Sequence, residues 1–408
     1  MRFALAAAAS VTTTTACAQQ QKSPRAGWNF AFKHFVIAAW NPPAATEAEY
    51  RVYRDAGFNI VMSPRYALPD NALDLAQEHG LKVLIDTYTP NDKPWGGTAG
   101  KYTPHPDHHP ATLPELVWLH ERYGKHAALA GYLLGDDYGN LPQELVETTQ
   151  YLRKNAPRLF PWVCQNVMSP KSLAQSGNPI MNPQIYPTLY QKNRPVDEQA
   201  RLYCEGLNRL RESCKRYNLI MWPMFNVAGV ESDSLIRFQV FSSLAYGSQG
   251  VWYFVYSGAL QRGTDFKSLE EAKANLRPIW ETAKKANACV AEWGPRLLGR
   301  SVAAVYHTGW SCAGVKKPST GRWVESMDDD VLVGVLTKDG ESPLAVVVDK
   351  RVALQAGAVP EREVTVRFGP AVSEILLISG RMENSTKGRT IKLKLEGGGA
   401  QLLVLRMK

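Results

Sequence analysis

The chain has 408 residues and a formal charge of +9, with 45% hydrophobic and 21% charged residues. Those fractions belong to a globular protein, and the length suits a large barrel followed by a smaller domain. The basic residues are scattered, with only short pairs such as Lys284-Lys285 and Lys316-Lys317. A nucleic-acid groove needs a concentrated basic stripe, so nucleic-acid partners are excluded.

Met1-Arg2 carries one positive charge and is followed by an alanine-rich stretch, four Thr and Ala16-Cys17-Ala18. This pattern reads as an export signal over 1–18, cleaved after Ala18, and predicts a periplasmic or secreted protein. The rival reading makes Cys17 the lipid-modified first residue of a lipoprotein. Thr14 stands where that motif wants Leu and argues against it. Residues 19–33 read as a linker. No other stretch offers the roughly 18 unbroken apolar residues of a membrane span. Beyond the signal, Cys164, Cys204, Cys214, Cys289 and Cys312 are widely spread and lack CxxC pairing. Buried small hydrophobes are expected there rather than a zinc site or a dense disulfide framework.

From residue 34 apolar strands alternate with helical stretches. His34 to Trp40 reads as a strand ending in Asn41-Pro-Pro, and Thr46 to Ala56 as a helix closed by Gly57. Phe58 to Met62 is a second strand, leading to Arg65 and Tyr66, and Asn71 to His79 a helix closed by Gly80. Leu81 to Tyr88 is a third strand. A Pro/Gly/His-rich loop over 89–112 precedes the helix Pro114 to Tyr123. Ala130 to Leu134 is a fourth strand, stopping at Gly135-Asp136-Asp137, and Pro142 to Asn155 the helix after it. Phe160 to Asn166, Gln184 to Tyr186, Leu219 to Asn226 and Gly250 to Tyr256 read as the remaining strands. The helices Val196 to Tyr217, Ser234 to Tyr246 and Leu269 to Glu292 accompany them.

Eight strand–helix units over 34–298 predict a (β/α)8 TIM barrel. The turn after the first strand is Trp40-Asn-Pro-Pro, with no GxGxxG or GxxxxGK. Nucleotide cofactors are excluded on that ground, and no cofactor of any kind is expected. Beyond Pro295 the helical period gives way to short alternating runs between turn signals such as Lys338-Asp-Gly340. Residues 299–408 therefore read as an antiparallel β-sandwich, expected to pack on the last barrel helix.

Two adjacent carboxylates at the C-terminal end of a buried parallel strand face the ligand side of such a barrel. The catalytic candidates are Asp137 and Asp136. The other strand ends supply Trp40, Asn41, Arg65, Tyr66, Asp86, Tyr88, Asn166, Tyr186, Asn226 and Tyr256, with Tyr132, Tyr138 and Trp222 as aromatic walls. Aromatic faces and hydrogen-bonding side chains around one cup suit a sugar. Glycosidic cleavage uses two carboxyl groups. Successive strand residues point to opposite faces, so Asp136 and Asp137 cannot flank a sugar as an ordinary pair. Either a second carboxylate comes from Asp86, Glu231, Asp233 or Asp265, or the strand end twists and both Asp side chains reach the site.

Three segments carry a resemblance to exported (β/α)8 glycoside hydrolases over 34–408. Gly131-Tyr-Leu-Leu-Gly-Asp-Asp137 resembles the Gly-Tyr-x-x-x-Asp-Glu strand of barrel glycosidases. Ala245 to Phe254 is similar to the eighth strand of β-galactosidase-like barrels. Leu276 to Leu298, ending Trp293-Gly-Pro-Arg-Leu-Leu, resembles the helix leading into their C-terminal β-domain. The chain departs from that clan in having Asp-Asp on the fourth strand and Asn226 where the seventh strand would supply a nucleophile. Adjacent fourth-strand carboxylates resemble substrate-assisted N-acetylhexosaminidases. That likeness implies Asp137 as acid/base and Asp136 as the residue orienting a 2-acetamido nucleophile. The alternative is a non-catalytic carbohydrate-binding protein on a degenerate barrel, which Asn226 favours. For His105-Pro-Asp-His-His109 a solvated loop is expected rather than a metal site. A carbohydrate is the expected partner; oligomeric state is not legible.

Overall fold

The structure, a computed structural model, describes residues 23–63, 71–87, 112–136, 142–165, 169–319, 322–357, 359–379 and 382–408. Its first part runs β1 (Val36–Ala39), α1 (Glu47–Asp55), β2 (Ile60–Met62), α2 (Ala72–Glu78), β3 (Lys82–Asp86), α3 (Leu113–Tyr123), β4 (Leu129–Asp136) and α4 (Gln143–Asn155). It continues through β5 (Phe160–Gln165), α5 (Pro170–Ser176), β6 (Ile180–Ile185), α6 (Pro187–Tyr190), α7 (Val196–Tyr217), β7 (Ile220–Met221), β8 (Met224–Asn226), α8 (Asp233–Ala245), β9 (Gly250–Phe254), α9 (Leu269–Ala274) and α10 (Ile279–Leu297). The strands pair in parallel in the order β5-β4-β3-β2-β1-β9-β8-β6-β7, and a further β5–β6 pairing closes the ring. β7 and β8 are two pieces of one barrel strand, so eight strands complete the (β/α)8 barrel.

Local chemistry explains where elements differ from expectation. Pro223 has no N–H to give a ladder and splits the seventh strand; the β9 N–H of Trp252 still reaches the Pro223 carbonyl at 3.1 Å. Pro278 likewise divides the expected last helix into α9 and α10. The sixth strand begins at Ile180 rather than Gln184, because Pro183 inside it masked the run.

The second part holds β10 (Ser301–His307), β11 (Val324–Met327), β12 (Val331–Thr337), β13 (Leu344–Asp349), β14 (Arg362–Phe368), β15 (Val372–Ser379), β16 (Met382–Lys387), β17 (Thr390–Leu395) and β18 (Ala400–Met407). A six-stranded sheet, β10-β12-β13-β18-β15-β16, faces a three-stranded one, β11-β14-β17. Ala345 and Val347 on β13 share a core with Val364, Val366 and Leu393 of the smaller sheet. The alternate β13 residues Leu344, Val346 and Val348 belong to the barrel's outer core instead. The six-stranded sheet is thus buried on both faces.

The helix that receives this sheet is α8, between the seventh and eighth barrel strands, rather than the last helix. Eleven of its thirteen residues are buried, as expected of a helix covered on every side. Gly334 on β12 lies so close to Ala245 that a Cβ would run into its carbonyl. Arg237 donates from Nε (3.0 Å) and Nη2 (2.8 Å) to the Gly397 carbonyl. All five described cysteines are free, and all but Cys289 are buried. No helix among the described residues is long and apolar enough to cross a membrane.

His307, 1% exposed, sits at this domain junction with Nε2 3.0 Å from the Tyr246 hydroxyl. Burial, reinforced by the nearby Lys350 ammonium, pushes its pKa down to about 3. An unfolded chain protonates this ring near pH 6.5 and the folded one only near pH 3, so the unfolded state holds more protons in between. Stability therefore falls as pH drops through that window, by at most about 1.4 kcal/mol per pH unit. Urea midpoints measured from pH 7 to pH 4 are expected to decline. In His307→Gln the proton-linkage slope should be shallower by up to about one proton.

Candidate active site

The floor of the barrel cup is aromatic. Trp162 of β5 and Trp252 of β9 stack across the interior with centroids 4.0 Å apart and planes 13° from parallel. Trp40, at the end of β1, meets Trp162 edge-on at 5.6 Å. Small residues on other strands, Ala38 and Ala130, make room for the indoles within the same interior cluster.

Above that floor the inward-facing side chains become polar, and β4 is the strand that matters most. Leu133 lies in the interior cluster and Leu134 in the outer core. Simple alternation would send Gly135 inward and Asp136 outward. Instead the β4–β5 register slips between Leu133 and Gly135, so that Asp136 pairs with Cys164 while Leu133 pairs with Trp162. Trp162 and Cys164 both face the interior. The one-residue irregularity therefore turns Asp136 to the inside, the re-aiming that bulges perform near active sites. A second slip earlier in β4 is possible because Gly131 has no Cβ to strike the Phe160 backbone.

Asp86, fully buried at the end of β3, pairs with Leu133 and follows the inward Leu84 by two residues. Its backbone N–H donates to Ser63 Oγ at 2.8 Å. Asp86 and Asp136 thus face one interior from neighbouring strands, two rungs apart. Strand rise and spacing put their Cα atoms roughly 8 Å from each other. The remaining second-carboxylate candidates differ. Asp233 accepts from Thr282 Oγ1 on α10, Asp265 pairs with Lys267 at 2.9 Å, and Glu231 is exposed ahead of α8.

Two more expected residues border the cup. Trp40 and Asn41 line an open cleft of about 430 Å³ with Thr46, Met62, Thr264 and Asp265. Asn41, at φ 53°, donates from Nδ2 to the Ser257 carbonyl at 2.8 Å and so ties the first and eighth strand ends together. Tyr186 lies inside, its hydroxyl 2.7 Å from Met224 Sδ and its ring 4.7 Å from Phe254.

Other expectations are displaced. Trp222 packs edge-on against Phe160 at 4.9 Å and lies over the Gly250 Cα, at the N-terminal mouth of the barrel. Phe160 opens β5 and Gly250 opens β9, so Trp222 fills the bottom layer rather than a substrate wall. Tyr256 has already left the ladder and wedges against Tyr53 and Phe58 at 4.8 and 5.7 Å, under α1. Tyr132 faces the helices, with its hydroxyl 3.4 Å from His120 Nδ1. Asn226 is fully buried, donating at 3.0 Å to both Thr188 Oγ1 and the Ala228 carbonyl and accepting from the Ala228 N–H at 3.1 Å. Its amide closes its own turn. Arg65, Tyr66, Tyr88, Asp137, Tyr138, Asn166 and the loop His105 to His109 lie outside the described residues. Trp162, Trp252 and Gln184 were missed, although each stands an even number of residues from an inward neighbour.

No protein-family model matches the chain, and no curated protein matches it. Solved structures do. An α-amylase from Geobacillus thermoleovorans, complexed with acarbose, is 12% identical over 91% of this chain and 98% of that one, with a TM-score of 0.50. A GH27 β-L-arabinopyranosidase from Geobacillus stearothermophilus is 9% identical over 91% and 96%, with a TM-score of 0.48. A β-glucuronidase from an uncultured Clostridium is 10% identical over 63% and 50%, with a TM-score of 0.43. The likeness to the α-amylase establishes the fold.

If Asn226 is a structural amide, a carboxylate there meets the Ala228 carbonyl with an acceptor where a donor stood. Asn226→Asp is expected to cost about 1–3 kcal/mol in denaturant unfolding. It should not increase hydrolysis of any glycoside.

Proposed function

We propose that the chain is a glycoside hydrolase that cleaves O-glycosidic bonds of an oligo- or polysaccharide, with Asp137 as general acid/base and Asp136 as its charged partner. The observation that carries this reading is the register slip in β4, which turns Asp136 into the cup above a floor of tryptophans. A carboxylate facing that interior beside aromatic rings suits a sugar substrate. An α-amylase of the same fold, solved with acarbose, fits this substrate class.

In the reaction proposed, Asp137 protonates the glycosidic oxygen as its bond to the anomeric carbon breaks. On a 2-acetamido sugar the acetamido oxygen attacks that carbon, and Asp136 holds the amide N–H. Water then opens the cyclic intermediate, giving its proton to the Asp137 carboxylate. The inward Asp86 favours a second arrangement, in which Asp86 and a fourth-strand Asp act as the two carboxyl groups and no acetamido group is needed.

Kinetics on a glycoside panel test both. Asp137→Asn is expected to lower kcat about 100- to 10,000-fold, and less in the first chemical step with an activated aryl leaving group. Asp136→Asn should hurt N-acetylated substrates most if the acetamido group attacks. A loss in Asp86→Asn on all substrates alike would select the two-carboxylate arrangement. Parental rates in all three variants on a substrate the parent hydrolyses would make these carboxylates structural and put the site elsewhere. A parent that binds glycans but releases no sugar would leave the carbohydrate-binding barrel as the reading. Export is part of the same proposal: intact mass of protein from its own host should begin at Gln19, and a diacylated Cys17 would refute that.

A further inference from the structure

Tyr190 is 60% exposed and Leu189 beside it 37%, two of the three large hydrophobic side chains standing free among the described residues. Both belong to α6, which leaves the C-terminal end of β6, so they stand on the same barrel face as the cup. The Tyr190 ring lies 6.0 Å from Tyr186 at 33°, and Tyr186 lies 4.7 Å from Phe254 at 31°. Three rings thus step from the barrel interior out to the surface.

Tyr190 and Tyr186 also share the wall of a groove of about 380 Å³ between β6, α6 and α7. Gln191, Arg209 and Ser213 line it beside the apolar Ile185, Leu202 and Leu210, and among its described lining residues there is no carboxylate. An aromatic face flanked by an amide, a guanidinium and a hydroxyl matches a pyranose ring, whose C–H face stacks while its hydroxyls hydrogen-bond. A volume of this size is ordinary for a ligand pocket.

We propose that this groove is an outer sugar-binding position with Tyr190 as its platform, joined to the cup through Tyr186. The substrate is then an oligo- or polysaccharide held beyond the cleaved bond, not a small glycoside. This rests on the glycosidase reading for its link to turnover, but binding can be measured without turnover.

The test uses the whole chain, Tyr190→Ala and Tyr190→Phe. Retention is measured in native gels cast with soluble polysaccharides, and kinetics are measured on oligosaccharides and their aryl monoglycosides. For Tyr190→Ala, KM on the longer substrates should rise roughly three- to tenfold, and the oligosaccharide-to-monoglycoside ratio of kcat/KM should fall accordingly. Tyr190→Phe, which keeps the ring, should restore both. Retention without hydrolysis in the parent, lost in Tyr190→Ala, supports the outer position and removes the catalytic reading. Hydrolysis with unchanged oligosaccharide KM in Tyr190→Ala overturns the outer position alone. A parent that neither binds nor cleaves any glycan overturns both. A Tyr190→Ala effect confined to oligomeric state by light scattering marks a protein contact and also overturns the proposal.

Discussion

The barrel closes around the stacked pair Trp162 and Trp252, and the layering of everything else follows from it. Two indoles 4.0 Å apart fill the middle of the interior, so the layer beneath must be closed by other bulky rings, Phe160 and Trp222. Only the layer above, at the C-terminal strand ends, is left for polar groups. Asp86 and Asp136 appear there and nowhere lower. An eight-stranded interior is a packed core, not a pore, and its chemistry is confined to the end where the packing stops.

A second constraint joins the two domains. α8 has no solvent face, because the barrel covers one side and the six-stranded sheet the other. Such a sheet cannot afford a polar face, and β12 and β13 are accordingly apolar at nearly every position. Gly334 then sets the distance, since any side chain there would hold β12 off the Ala245 backbone. His307 and Lys350 are buried at the same seam. The Lys350 ammonium rests 3.7 Å from the Trp310 ring centroid and donates to the Trp310 carbonyl at 2.5 Å, which provides for its charge without a carboxylate.

Most of the fold was legible because its signals are local. The alternation of strands and helices, the span Val196 to Tyr217 and the loss of helical period near Pro295 all lie in short windows of sequence. Elements without an apolar rhythm escaped: α5 is a brief helix, and β11 and β16 read Val-Glu-Ser-Met and Met-Glu-Asn-Ser-Thr-Lys. The site was harder to read, because a strand's end in sequence is not its layer in space. Trp222 looked like a wall residue from its place in an apolar run, yet Pro223 cuts that run and leaves Trp222 at the bottom. Tyr256 ends the eighth apolar run, but the ladder stops at Phe254, and the next residues turn outward.

Parity was the least legible property of all. From sequence, Asp136 and Asp137 point to opposite sides and nothing says which is inside. The answer depends on a register slip whose only local trace is the pair Gly131 and Gly135, spaced through a run of Leu and Tyr. One residue more or less in that strand would exchange the inner and outer sets above the slip, sending Asp136 toward the helices. The slip and the carboxylate therefore form one unit. Asn226 belongs to the opposite case. Its side-chain polar atoms are engaged within its own turn and by Thr188, so the seventh strand offers a tie to α6 where a reacting group could have stood. Inward-facing carboxylates described at the mouth come from β3 and β4, on one side of the barrel. Adjacent strands therefore carry the described groups that the proposed chemistry would use, with β3 and β4 acting together or one of them acting with a group of the substrate.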